Sequence, residues 1–184
     1  MRNLVYLVLI ALLSITTPAS AKTWDTDYSK SYLGFVGKQG DEVIKGRFKN
    51  FQTTINFDPA NPTFSKITAS IDITSVLTGS NDVDTSLPQS DWFDSKKFPK
   101  AEFTTTFIEA DTKPSCYKAT GTLTLKGISK EILLPFCLTQ EGDHMRAKGE
   151  FTLMRNNFEI GIGQWSDEGM VANAVTVTVD IVAK

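Results

Sequence analysis

Few side chains in this sequence could do covalent or acid–base chemistry: one histidine, two cysteines and a scatter of aspartates near the middle. His144 sits in the polar turn Gly142-Asp143-His144 with no obvious nucleophile partner, and no G-x-S-x-G elbow occurs. Gly161-Ile162-Gly163 runs into Trp165 and lacks the strand-to-helix context of a phosphate loop. Asp82, Asp84, Asp91 and Asp94 form the densest acidic patch, but their spacing misses the EF-hand loop and nothing selects a glycosidase pair. Caps and turns account for them. Zinc, copper and haem sites usually need more His or Cys than this chain offers. The expectation is a protein that is not an enzyme, with no catalytic residue, no metal and no required cofactor.

The two cysteines, Cys116 and Cys137, do not form a C-x-x-C, so a thioredoxin-like motif, c-type haem attachment and zinc fingers fall away. They flank a hairpin whose strands alternate cleanly: Tyr117, Ala119, Gly121, Leu123 and Leu125 on one arm, then Ile132, Leu134, Phe136 and Leu138 on the other. For both apolar rows to share a face, paired residue numbers must sum to an odd value. A sum of 253 places the loop at Leu125 to Ile128, pairs Ala119 with Leu134, and sets Cys116 opposite Cys137 on the outward face. Opposed Cβ atoms lie about 5 Å apart, close enough to bond. A shift of two residues would move them to diagonal positions. The pair is therefore either a disulfide or two capped or buried thiols, and no low-pKa setting points to a redox role.

The elements that must position anything else are strands. Ser31 to Lys38, Glu42 to Phe57, and the row Ile67, Ala69, Ile71, Ile73 come first, with a bend or bulge expected at Phe48 to Phe51. Phe103, Thr105 and Phe107 alternate in the next strand, the hairpin follows, and rows at Ala147 to Leu153 and Val175 to Ile181 complete eight strands. Between Gly79 and Pro99 the alternation stops. Val83, Leu87, Trp92 and Phe93 there read as one or two short helical turns acting as a lid or plug. No βαβ spacing appears, so the sheet is antiparallel, and a sandwich and a closed barrel both fit. All twelve phenylalanines follow residue 21. Phe35, Phe51, Phe57, Phe103, Phe107, Phe136 and Phe151 on inward faces supply either ordinary core packing or, with Ala69, Ala119, Gly121, Ala147 and Gly149 leaving space, the wall of a slender apolar site.

Residues 1–21 carry Arg2, the apolar run LVYLVLIALL and the small-residue end Ala19-Ser20-Ala21, the pattern of a cleaved secretory signal and too short a run to span a bilayer. Removing them leaves residues 22–184 as the expected domain, with a net charge of −3. A mildly acidic chain lacks the field of a nucleic-acid binder. Export also permits the disulfide.

An ordered set of motifs then resembles the YceI-like family of exported bacterial polyisoprenoid-binding proteins. The set runs through Gly46-Arg47-Phe48-Lys49-Asn50-Phe51, Ser90-Asp91-Trp92-Phe93-Asp94, Phe98-Pro99-Lys100-Ala101-Glu102-Phe103, Gly121 to Lys130, and Arg155, Phe158, Ile160 and Gly161. The resemblance implies an all-β, eight-stranded antiparallel lipocalin-like barrel, with short helical segments between strands 3 and 4. It also implies a periplasmic location and a channel for an isoprenoid lipid: a polyprenol, a polyprenyl phosphate or an isoprenoid quinone. Phe35, Phe48, Phe51, Ile71, Phe93 and Phe103 would then lie along the channel. Where the family often carries Arg and His, this chain has Val83, Ser86 and Lys30, so a phosphate headgroup would need another cation such as Lys38, Lys45, Arg47 or Arg155. The partner expected is the lipid, with transient contact to a membrane or membrane enzyme, and neither nucleic acid nor metal. The alternatives are an exported stress-response or interaction module with a packed barrel, or an enzyme using an isoprenoid quinone.

Overall fold

The alternation read along the chain becomes strand wherever one side chain in two can be buried. The computed structural model describes residues 22–184, so the expected signal segment, residues 1–21, lies outside the described residues. The strands are β1 (Lys22–Trp24), β2 (Tyr32–Gln39), β3 (Glu42–Phe48), β4 (Phe51–Phe57), β5 (Lys66–Asp72) and β6 (Val76–Leu77). After the helix α1 (Asn81–Ser86) come β7 (Lys100–Ala110), β8 (Cys116–Leu125), β9 (Ile128–Glu141), β10 (His144–Met154) and β11 (Ala174–Ala183).

These eleven strands join one antiparallel sheet in the order β1-β4-β5-β7-β8-β9-β10-β11-β2-β3-β6. This corrects the closed eight-stranded barrel expected from the sequence. The sheet curls through 314° and stays open, with its edges 25 Å apart. The strand expected over 42–57 is divided at Lys49 and Asn50, and its halves lie near opposite ends of the order without pairing to each other. The edge strands β1 and β6, three and two residues long, are too short to leave a periodic signal in sequence. These pieces raise the strand count, so the helix lies between β6 and β7 and not between the third and fourth strands.

The opening is strapped by chain. Beyond β1, the Asp25 and Asp27 amides donate to the Lys184 and Val182 carbonyls, and the Lys184 amide donates back to Asp25, tying the N-terminal segment to the far end of β11. At the β3–β4 corner the Lys49 amide donates to the Ser75 carbonyl and the Asn50 amide to the Ser75 hydroxyl. Backbone donors that a closed barrel would satisfy by strand pairing are satisfied here by turns.

The hairpin register is the one that inward-facing apolar rows require. Ala119 pairs with Leu134, Gly121 with Ile132, and Cys116 with Cys137, whose sulfurs form a disulfide with Cα atoms 4.0 Å apart. Its turn, Lys126-Gly127, has φ of 50° and 75°, the twist that matches a two-residue hairpin loop. One inward assignment fails. The β7–β8 register shifts between Thr105 and Phe107, so Ile108 turns in, fully buried, and Phe107 turns out, 46% exposed. A bulge inserts one residue and flips every side chain beyond it. Buried Thr105 occupies the irregularity, with its hydroxyl accepting from the Ile67 amide and donating to the Ile67 carbonyl.

Candidate functional site

The concave face of the sheet encloses a cavity of about 420 Å³, within the range of small-molecule sites. Its wall is hydrocarbon over most of its extent, with Leu33, Ile55, Ile132, Leu134, Val177 and Val179 among the strand side chains that face it. At one end Phe57, Tyr117 and Phe136 pack ring against ring, with centroids 5.0 to 5.8 Å apart. The Tyr117 hydroxyl donates to the Pro59 carbonyl at 3.3 Å, and burial followed by the nearby Asp58 charge pushes its pKa up. This end is a neutral aromatic floor.

The other end is roofed by the segment between β6 and β7. Ser80 is the N-cap residue of α1, and the Asp84 carboxylate accepts from the Thr78 amide and hydroxyl at 2.6 and 2.7 Å. Burial works against the Asp84 charge, but these hydrogen bonds prevail and hold its pKa below the usual carboxylate value. Leu87 and Phe93 drop into the core from the roof, and Phe93 meets Phe48 at 6.1 Å. The roof is held from outside by two motifs distant in sequence. Lys126, on the hairpin turn, donates to the Ser90 and Glu159 carbonyls. Burial pushes the Lys126 pKa down, while the Asp94, Glu159 and Asp91 charges oppose that shift. The Gly161 and Ile162 amides both donate to the Asp91 carbonyl, and the Trp92 and Trp165 rings lie 5.7 Å apart.

Arg155 organises the segment that does this holding. It is 2% exposed, and its guanidinium donates through Nε to Ala172, through Nη1 to Ile160 and Gly161, and through Nη2 to Trp165 and Val171, all backbone carbonyls. Guanidinium has five N–H groups, so none is left for a ligand. The expectation that Arg155 could serve a phosphate is thereby corrected. Lys45 and Arg47 alternate with the inward Ile44 and Phe48 on β3, so they stand on the outer face, and neither borders the cavity. Lys38 does border it, at the end of β2. His144 pairs with its neighbour Asp143 at 2.6 Å and does not border the cavity.

All six residues expected along the channel, Phe35, Phe48, Phe51, Ile71, Phe93 and Phe103, border this one cavity. The small residues divide into two kinds. Ala69, Ala119 and Ala147 face the space, whereas Gly121 and Gly46 are covered by the rings of Phe103 and Phe35, where a Cβ would lie 2.6 and 2.2 Å from ring carbons. Sequence reasoning missed Trp165 and Val171 as lining residues, because they lie in an irregular stretch whose inward positions no period marks. Their signal was indirect: a tryptophan in a glycine-rich stretch needs a packed surface to sit on. Among the described residues, no group of three or more His, Cys, Asp or Glu is placed to hold a metal ion.

The family description "YceI-like domain" matches residues 24–183. The UPF0312 protein plu2095 of Photorhabdus laumondii is 31% identical over 169 residues, covering 86% of this chain and 87% of that protein. Among solved structures, Burkholderia cenocepacia BcnA superposes with a TM-score of 0.83 at 32% identity, covering 87% of this chain and 100% of BcnA. A polyisoprenoid binding domain from Saccharophagus degradans superposes with a TM-score of 0.66 at 15% identity, covering 88% of this chain and 97% of that domain, which shows a shared fold.

Proposed function

The chain belongs to the YceI-like family, and from that premise we propose that it binds a long-chain isoprenoid lipid in the curled sheet and carries or stores it unaltered in the periplasm. One observation carries the reading: the cavity is continuous from the aromatic floor to the roof, and the side chains facing it are almost all hydrocarbon. Such a wall recognises length and apolarity. Each buried methylene contributes about 0.8 kcal/mol, so a few isoprene units suffice for tight binding without polar contacts. Phe35, Phe48, Phe51, Ile71, Phe93 and Phe103 are the residues assigned to hold the tail. The Saccharophagus degradans domain that shares the fold is named for polyisoprenoid binding, the same class of ligand.

Organic extraction of the purified protein followed by mass spectrometry tests this. An isoprenoid lipid in the extract, and re-uptake of a polyprenol or quinone by the stripped protein, are expected. Ala69→Phe, which puts a ring into the space, should abolish uptake while the protein stays folded. A lipid-free protein that also refuses polyprenols and quinones would sink the proposal and leave a packed interaction module.

A further inference from the structure

We propose that the outer face of β2 and β3 docks the protein on an anionic phospholipid surface, with the open end of the cavity beside it. Docking of this kind concerns where cargo is exchanged, not what it is, and can be observed with no isoprenoid present.

β3 presents Lys45 and Arg47 on its outer face, Lys49 follows at the corner, and Lys38 on β2 lies across from Val43. All four cations are exposed, and among the described residues none of them takes part in an ion pair. Residues 22–184 carry a net charge of −3, so four cations gathered on two strands are a local reversal of sign.

The neighbouring faces do not cancel them. On β11 the partners of Val36 and Gly34 are Thr176 and Thr178, both uncharged. Asp180, opposite Tyr32, is held by Arg146 at 2.7 Å and by Lys148 at 3.6 Å. On the other side β6 offers only Val76 and Leu77 to β3. Asp84 acts on Lys49 from nearby, but the Thr78 amide and hydroxyl already hold its charge. Asp41 and Glu42 stand at the tip of the β2–β3 turn, and Glu42 shares the parity of inward-facing Ile44.

Apolar and aromatic groups lie among the cations. Val43 is 48% exposed and Tyr32 is 39% exposed. The Tyr32 ring lies over Gly34, the partner of Arg47, where a Cβ would collide with it. Tyrosine suits a membrane–water interface, and clustered Lys and Arg are drawn to anionic lipid. Lys38 and Gln39, at the end of the same strip, border the cavity. Docking therefore sets the open end at the surface an apolar cargo would come from, which favours a bilayer over an acidic protein as the partner.

Co-sedimentation with phosphatidylcholine vesicles, with and without phosphatidylglycerol, tests this. At about 0.1 M salt, where the screening length is about 10 Å, binding is expected only with phosphatidylglycerol present, and it should weaken as salt is raised. Each cation near an anionic surface contributes about fivefold in affinity, so Lys45→Gln with Arg47→Gln should weaken binding about 25-fold. Lys66→Gln with Lys113→Gln removes the same charge from exposed positions at the floor end and should weaken it less than about twofold. Urea unfolding of both variants should match the parent, since all four side chains are exposed. A parent that ignores phosphatidylglycerol vesicles overturns the proposal and leaves the strip to an acidic protein. Equal losses from the two pairs overturn it as well, because binding would then follow net charge and not this face. A parent that binds the vesicles but takes up no polyprenol overturns the carrier reading and leaves the docking surface standing.

Discussion

Replacing Arg155 by lysine is the most informative perturbation, because it separates a structural cation from a ligand-binding one. Lysine keeps the charge but has three donors on a single nitrogen, where the guanidinium reaches five carbonyls in a fixed fork. At least two of the carbonyls of Ile160, Gly161, Trp165, Val171 and Ala172 must lose their partner. Hydrogen bonds to a charged group contribute about 1.5–3 kcal/mol each. The Val171 and Ala172 positions are half-buried, so water can recover part of that. The expected loss is therefore about 2–4 kcal/mol, a large share of the 5–15 kcal/mol typical of a domain. Urea unfolding followed by tryptophan fluorescence measures it, because Trp92 stacks near Arg155 and Trp165 supplies one of the carbonyls. The same variant, titrated with geranylgeraniol and with geranylgeranyl monophosphate, should bind the two in the same ratio as the parent. A stability within about 0.5 kcal/mol of the parent, combined with a selective loss of phosphate binding, would refute the reasoning and return Arg155 to the ligand.

Other expectations follow from the same geometry. Opening the Cys116–Cys137 link with a double serine substitution releases a loop of 21 residues and should cost about 3 kcal/mol in urea unfolding. Phe103→Ala should cost about 3–5 kcal/mol and weaken lipid uptake, whereas Phe107→Ala, outside the bulge, should change stability by less than about 1 kcal/mol and leave uptake alone. Asp27 accepts from Ser29 and pairs with Lys30, which lowers its pKa from 3.8 to about 2. A depressed carboxylate stabilises the fold fully above its unfolded pKa, so this contribution should be present above about pH 4 and fade as pH falls towards 2. The hydrogen-exchange protection factor of the Asp27 amide, which donates to Val182, should fall over that interval in the parent and show no such step in Asp27→Asn.

The register of the β8–β9 hairpin was legible in sequence because two apolar rows, each with period two, allow only registers that point both inward. Cys116 and Cys137 came along with it as an opposed pair. Phe35, Phe48, Phe51, Ile71 and Phe103 were legible for a related reason, since a bulky apolar side chain on the inward row of a curved sheet has nowhere else to go, whereas Phe93, in the roof, was reached only through its motif. Phe107 shows where that logic stops. Thr104, Thr105 and Thr106 fit either face, so nothing local marks the bulge, and only the fully buried Ile108 beyond it reveals that the parity changed.

By itself, then, the sequence determined the longer strands, their antiparallel class, the parity of the hairpin register and, short of the bulge, which rows face the interior, since each follows from side-chain alternation between neighbours. The tertiary structure decided closure and charge. Whether the 42–57 segment pairs with itself or parts at Lys49–Asn50 depends on what Ser75 and β6 offer across the corner, residues remote in the chain. Whether Arg155 is a binding cation or a saturated one depends on five carbonyls contributed by Ile160, Gly161, Trp165, Val171 and Ala172, and hydrogen-bond partners of that kind are fixed only when the irregular segments fold back on the guanidinium. Periodicity reports a residue's face; it carries no information about which backbone groups will reach that face from elsewhere in the chain.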